Sequence, residues 1–291
     1  MGRDLLEALK RGVLVCDGAM GTMLMASGVE VRCPEEMNLL SPETVRNVHA
    51  AYIAAGADVI ETNSFGGSRA KLEKAGLEDE DMVAKANLAA ARLAREAAGE
   101  SAIVAGSVGP LGEFLEPLGT LTRQGAVEIF REQMAALAEG GVDFFLIETM
   151  YDLGEALAAL EAAGLVGLPA ICTMTFDTHI HTMMGVSPAQ AVAELRAAGA
   201  VAVGANCGVG PDETLQAIQE MHRIAPDAWL AAQPNAGVPS MESGQTAYNV
   251  TAEGMAAFVT GFLEAGVRLI GSCCGSSPDY TRAIARVARG G

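Results

Sequence analysis

Aromatic side chains are scarce in this 291-residue chain, at 4% with a single tryptophan, and its 19 basic residues are outnumbered by 36 acidic ones. A composition poor in rings and rich in alanine and glycine suits many helices packed closely, because small residues on a helix face let the neighbouring element approach. The formal charge of −17 argues against a nucleic-acid backbone or an anionic membrane surface as partner. Long hydrophobic runs are missing as well, and none approaches the roughly 20 residues of a membrane span. The first residues show no apolar core behind a basic start, so they do not read as a secretion signal, and a cytoplasmic location is expected. Because no Ser/Pro/Gln-rich linker, charge block or low-complexity tract divides the sequence, it is read as one domain over 1–291.

What is present repeats. Short apolar runs at 13–16, 58–62, 102–107, 143–148, 170–175, 200–205, 228–233 and 268–271 are each followed by turn residues. Longer segments of helical period lie between them, at 42–56, 68–76 with 79–98, 123–140, 152–165, 188–199, 211–225 and 251–266, with one more after Pro278. Glycine recurs just before several strands, where it can take a left-handed helix cap. Parallel strands joined by crossover helices, eight of each, predict a (β/α)8 TIM barrel. Chemistry in such a barrel sits at the carboxyl ends of the strands.

The strand ends are unlike the apolar residues before them. In order they carry Asp17, Glu61-Thr62-Asn63, Ser107, Glu148-Thr149, Thr175-Phe176-Asp177, Asn206-Cys207, Gln233-Pro234-Asn235 and Ser272-Cys273-Cys274. Six cysteines in a cytoplasmic chain of this size are expected as thiols rather than as a disulfide framework. Cys16, Cys33 and Cys172 read as small packing residues. Cys207 ends the sixth strand and Cys273-Cys274 end the eighth, so three sulfurs face one mouth and form a coordination set for a thiophilic metal, zinc first. Structural zinc takes four protein ligands, whereas three leave a position for substrate. No fourth ligand stands out: His179 and His181 lie in the loop after strand five, and His49 and His222 are assigned to solvated helix faces.

Three thiolates around Zn²⁺ carry a net charge of −1, a poor polariser of water but a good partner for a soft ligand. A free thiol is only about 3% ionised at pH 7, and metal coordination deprotonates it. The inferred reaction is alkyl transfer to a thiol, with a non-enzymatic barrel holding structural zinc as the reading from another class. Glu148 and Asp17 suit the ammonium group of an amino-acid thiol, and the amides of the turn Gly18-Ala19-Met20-Gly21 suit its carboxylate. Either acid could instead cap the helix that follows it, and the glycine-containing turn alone matches no nucleotide fingerprint.

The motifs Asp17-Gly18-Ala19-Met20-Gly21-Thr22, Glu61-Thr62-Asn63-Ser64-Phe65-Gly66, Gly106-Ser107-Val108-Gly109-Pro110, Gly204-Ala205-Asn206-Cys207-Gly208, Gln233-Pro234-Asn235-Ala236-Gly237 and Gly271-Ser272-Cys273-Cys274-Gly275 run along nearly the whole chain. With them the sequence resembles the zinc-dependent homocysteine S-methyltransferase family. Within that family it is most similar to the homocysteine-binding modules of cobalamin-dependent methionine synthases. The resemblance implies zinc on Cys207, Cys273 and Cys274, and homocysteine as the methyl acceptor. It also implies that Glu148, Asp17, Ser107 and the amides of Ala19 and Met20 hold the amino-acid end, and that Asn235 fills the fourth metal position when substrate is absent. Methylcobalamin on a partner domain is then the expected donor, with cobalamin- and folate-binding modules on the same or another chain. The alternatives are a stand-alone enzyme using S-methylmethionine or a methylated amine, and a barrel fused to a folate enzyme. Ser272, Ser276 and Ser277 stand where many relatives have Gly, Thr and Thr, a small-for-small change that leaves the cysteines in place.

Overall fold

The computed structural model describes residues 4–177, 179–238, 240–242 and 245–290. The expected domain span of 1–291 therefore includes residues 1–3 and 291 that lie outside the described residues. Ten strands are present among the described residues: β1 (Leu14–Val15), β2 (Val59–Glu61), β3 (Ile103–Val108), β4 (Phe144–Met150), β5 (Ala170–Met174), β6 (Ala202–Cys207), β7 (Leu230–Pro234), β8 (Ser240–Glu242), β9 (Gln245–Ala247) and β10 (Val267–Ile270). Eight of them form one parallel sheet in the order β1-β10-β7-β6-β5-β4-β3-β2. The two ends of that order meet through a parallel bridge between Cys16 and Val59, with Asp58 N–H donating to Val15 O at 2.7 Å and Asp17 N–H to Val59 O at 3.0 Å. The sheet is thus a (β/α)8 barrel. Strands β8 and β9 form a separate antiparallel hairpin in the loop after β7.

The helices are α1 (Leu5–Arg11), α2 (Met20–Met25), α3 (Met37–Leu40), α4 (Pro42–Ala55), α5 (Arg69–Lys74), α6 (Met82–Ala98), α7 (Arg123–Gly140), α8 (Leu153–Val166), α9 (Pro188–Ala197), α10 (Pro211–Ile224), α11 (Ala252–Glu264) and α12 (Pro278–Ala288). Their ends follow local chemistry. Thr122, Asp152, Ser187 and Thr251 each accept a backbone N–H from the first turn of the helix they precede. Proline occupies the first turn of α4, α9, α10 and α12, where its missing N–H is not needed. Gly56 and Gly141 close α4 and α7 in the left-handed conformation.

Along each strand, side chains alternate between two apolar clusters, as the period of two requires. Leu14, Val59, Ile103, Ala105, Phe144, Leu146, Ile171, Ala202, Ala231 and Leu269 fill the lumen, and Leu5 and Leu9 of α1 pack with them. The alternate residues, among them Val15, Ile60, Val104, Phe145, Ile147, Val203 and Ile270, pack outward against the helices. The lumen is solid below, so a ligand enters from above.

Three differences from the sequence reading have physical causes. Strand β6 is shifted two residues along from the apolar run at 200–205, and Cys207 is its last residue, at the strand end where it was expected. The short helices α1, α2 and α3 and the β8–β9 hairpin were not anticipated, because none is long enough to show a period. His49 is not on a solvated face: it is 0% exposed on α4, neither ring nitrogen has a partner, and burial pushes its pKa down to about 4. His222 is half-buried.

Candidate functional site

On the lumen face of the strands, apolar residues give way to polar ones in the last layer. Glu61 follows Val59, Ser107 follows Ala105, Glu148 follows Leu146, Thr173 follows Ile171, and Gln233 follows Ala231, each two residues on. These side chains join into hydrogen-bonded chains. Ser107 Oγ donates to Glu148 Oε1 at 2.6 Å, and Asn206 Nδ2 donates to Thr149 Oγ1 at 2.7 Å and to Glu148 Oε2 at 3.4 Å. The Oδ1 of Asn206 accepts from Thr173 Oγ1 and from Thr149 N–H, both at 2.7 Å. Gln233 Nε2 donates to Glu61 Oε1 at 2.5 Å.

Above this layer the three cysteines converge. Cys273 and Cys207 sulfurs are 3.5 Å apart, Cys207 and Cys274 3.8 Å, and Cys273 and Cys274 3.9 Å. All six cysteines are free thiols. A tetrahedral zinc with Zn–S bonds of about 2.3 Å requires sulfurs about 3.8 Å apart, so this triangle fits the ion without rearrangement. Cys207 reaches its place through a left-handed backbone, φ 60°, which is uncommon for a residue with a side chain and turns the end of β6 toward the mouth. Thr149, beside Glu148, has the same φ of 60°.

Hydrogen bonds from the Cys207 and Cys273 thiols hold the Cys274 sulfur far below the usual thiol range, and hydrogen bonding to Cys207 and Cys274 together with burial pushes Cys273 up. Asn235 braces both cysteine loops, donating from Nδ2 to Gly208 O at 2.7 Å and accepting Cys274 N–H on Oδ1 at 3.1 Å. Both of its polar ends are thereby occupied.

The cysteines line a cavity of about 440 Å³ together with Gly18, Ala19, Met20, Glu61, Ser107, Glu148, Gln233 and Tyr248. Asp17 is not in its wall. Its carboxylate accepts Glu61 N–H at 3.0 Å and lies 3.7 Å from Cys16 Sγ, behind Glu61. Ala19 N–H donates to Ser276 Oγ at 3.0 Å, whereas no side chain caps the N-terminus of α2, where Met20 begins the helix. Of the other three cysteines, Cys172 is core, Cys16 donates to Glu61 at 3.3 Å, and Cys33 is half-buried in the cavity wall.

Glu61 and Glu148 in the cavity wall, with Asp17 behind them, have no ion pair among the described residues. Burial, then the charge of Asp17, raises Glu61 to about 7; burial, then the charge of Glu61, pushes Glu148 well above the carboxylate range; burial does the same to Asp17. Sequence reasoning placed Asn206 and Gln233 at strand ends but gave them no part. Their signal was the lumen periodicity, which carries from apolar to polar residues on the same face.

Comparison with known proteins agrees with this geometry. The family model for homocysteine S-methyltransferase matches residues 14–288, and the chain belongs to that family. Methionine synthase of Mycobacterium leprae is 31% identical over 300 residues, covering 97% of this chain and 25% of the relative; that of Mycobacterium tuberculosis gives the same figures. The chain spans about a quarter of the length of these curated relatives. Among solved structures, the metallated form of the Escherichia coli homocysteine methyltransferase MmuM superimposes with a TM-score of 0.82 at 26% identity, covering 98% of this chain and 100% of that one.

Proposed function

We propose that this member of the homocysteine S-methyltransferase family binds homocysteine in the barrel mouth and transfers a methyl group to its sulfur, giving methionine. The observation that carries the reading is the sulfur triangle of Cys207, Cys273 and Cys274 opening into the same cavity as Glu148. Zinc fits the triangle, and the chemistry it supplies when bound is ionisation of an entering thiol at neutral pH. The chain's own residues then orient the amino acid. Glu148, held by Ser107 and Asn206, and Glu61, held by Gln233, face the ammonium group, while the free amides at the start of α2 around Met20 face the carboxylate. Asp17 supports this from behind by fixing the backbone of Glu61.

The sulfur lone pair forms the new S–CH₃ bond as the donor's bond to that methyl breaks, its electron pair staying with the donor. Such a displacement depends on positioning more than on acid–base help. We take the donor to be methylcobalamin on a partner module, in line with the methionine synthase relatives, with S-methylmethionine as the competing donor. Asn235, whose side chain is spent on Gly208 and Cys274, serves in this reading as the brace that spaces the cysteines and as a fourth ligand only after turning. We read the whole span 1–291 as this one homocysteine-binding domain and place it in the cytoplasm, whose reducing conditions keep the thiols available. No described helix is long and apolar enough to cross a membrane.

The test is Cys→Ala at 207, 273 and 274 singly. Each variant is expected to lose bound zinc on dialysis and to lose methyl transfer to homocysteine, measured by metal analysis and methionine formation. A variant that keeps wild-type turnover without zinc would sink the reading.

A further inference from the structure

The cavity does not end at the cysteines. Its wall continues outward over Met25, Pro34 and Phe65 to Lys71 on α5. Homocysteine occupies only the inner part of such a space, and a second reactant must approach its sulfur from the remainder. Lys71 is the only basic residue among the described residues of the wall, whose other charged side chains are Glu35, Glu61 and Glu148.

Its neighbours on α5 show what is unusual about it. Arg69 pairs with Glu132 and Glu73, and Lys74 pairs with Glu113 at 2.6 Å and donates to Gly112 O at 2.7 Å. Lys71 has neither an ion pair nor a side-chain hydrogen bond among the described residues. Glu35, in the same wall, accepts Gly66 N–H on Oε1 at 2.6 Å and forms no ion pair with Lys71 among the described residues. The lysine tail is nonetheless seated. A Cβ built on Gly112 would lie 2.9 Å from Nζ and 3.0 Å from Cε, and Gly112 itself has φ +73°, so the loop after β3 passes directly beneath the ammonium group without a side chain. The nearby acid is Glu155, which feels the Lys71 charge but forms no ion pair with it among the described residues and spends Oε1 on Leu111 N–H at 2.6 Å, so the ammonium group can still meet an anion that a ligand brings.

We propose that Lys71 binds an anionic oxygen group of the methyl donor, carboxylate or phosphate, and so fixes the donor over the sulfur site. This rests on the cavity being the place of methyl transfer. The inner wall takes the cationic end of the acceptor and the outer wall the anionic end of the donor, so the two reactants sort themselves by charge within one cavity.

The experiment measures steady-state methyl transfer by the wild-type chain, Lys71→Met, Lys71→Glu and Lys71→Arg. S-methylmethionine is the carboxylate-bearing donor and free methylcobalamin the phosphate-bearing one, and zinc content and the homocysteine KM are followed in parallel. For the donor the wild type accepts, Lys71→Met should raise the donor KM about tenfold or more, Lys71→Glu further, and Lys71→Arg should restore most of it. Zinc content and the homocysteine KM should not change. Which donor responds identifies the anion. An unchanged donor KM in Lys71→Met, or a rise in the homocysteine KM in its place, would overturn the proposal while leaving the methyltransferase reading intact. A wild type that binds homocysteine yet accepts neither donor would overturn both.

Discussion

Asn206 shows how much of the site hangs on single residues. One amide holds the Thr149 N–H, the Thr149 and Thr173 hydroxyls and Glu148, all at the bottom of the cavity, and the next residue is a cysteine of the triangle. Replacing it with alanine strands buried donors, which costs about 1–3 kcal/mol. Asn206→Ala is therefore expected to lower the urea midpoint and raise the homocysteine KM while retaining zinc, because none of the three sulfurs is lost; zinc loss with unaltered KM would contradict this. At this scale the sequence was readable wherever chemistry announced itself by type. Cysteines at strand ends are unusual enough to be noticed, and the structure brings Cys207, Cys273 and Cys274 together. Asn and Gln at strand ends are ordinary in type, and their importance lies in which atoms they touch. Asp17 is a conspicuous carboxylate beside a glycine turn, expected from the sequence to meet the substrate, and one of its oxygens also accepts the backbone N–H of Glu61.

At the scale of elements, the eight barrel strands and the long helices were legible because each must bury one face, and burial imposes a period. The helices α1, α2 and α3 escaped because they have one or two turns, and α1 packs mainly through the buried Leu5 and Leu9 at the base of the lumen. Helix α4 carries a further consequence. His49 is fully buried with both nitrogens unpartnered, and its folded pKa of about 4 lies below the ordinary 6.5. The folded state therefore binds fewer protons than the unfolded one between these values. The stability associated with a neutral His49 is complete above pH 6.5 and is lost as the pH falls toward 4. His49→Leu removes the unpartnered nitrogens together with the titration. It should stabilise the protein by about 1 kcal/mol at pH 7 and flatten the acid side of its stability profile, both read from urea unfolding across pH. A steeper acid limb in the variant would show that the imidazole is satisfied after all.

The whole molecule is a barrel whose lumen is packed below and polar above. Closure rests on a short seam, the two residues of β1 and the Cys16–Val59 bridge, and that seam leads directly into Asp17 and the α2 turn on the cavity wall. The same closed ring brings the ends of β6 and β10 within reach of each other across β7, so a triangle of sulfurs forms from residues 66 and 67 positions apart. Fold class and the convergence of the three cysteines were both legible for this reason, since a ring of parallel strands makes every strand end a neighbour of the same mouth. The identity of the donor was not, because the outer wall is assembled from loops whose sequence has no period. The account stands on one claim, that three cysteine sulfurs hold the metal and leave its remaining position to the acceptor thiol. X-ray absorption at the zinc edge, recorded on the zinc-loaded chain before and after homocysteine, measures this directly. The account predicts three sulfur ligands that become four when homocysteine is added, and a spectrum unchanged by saturating homocysteine would contradict it.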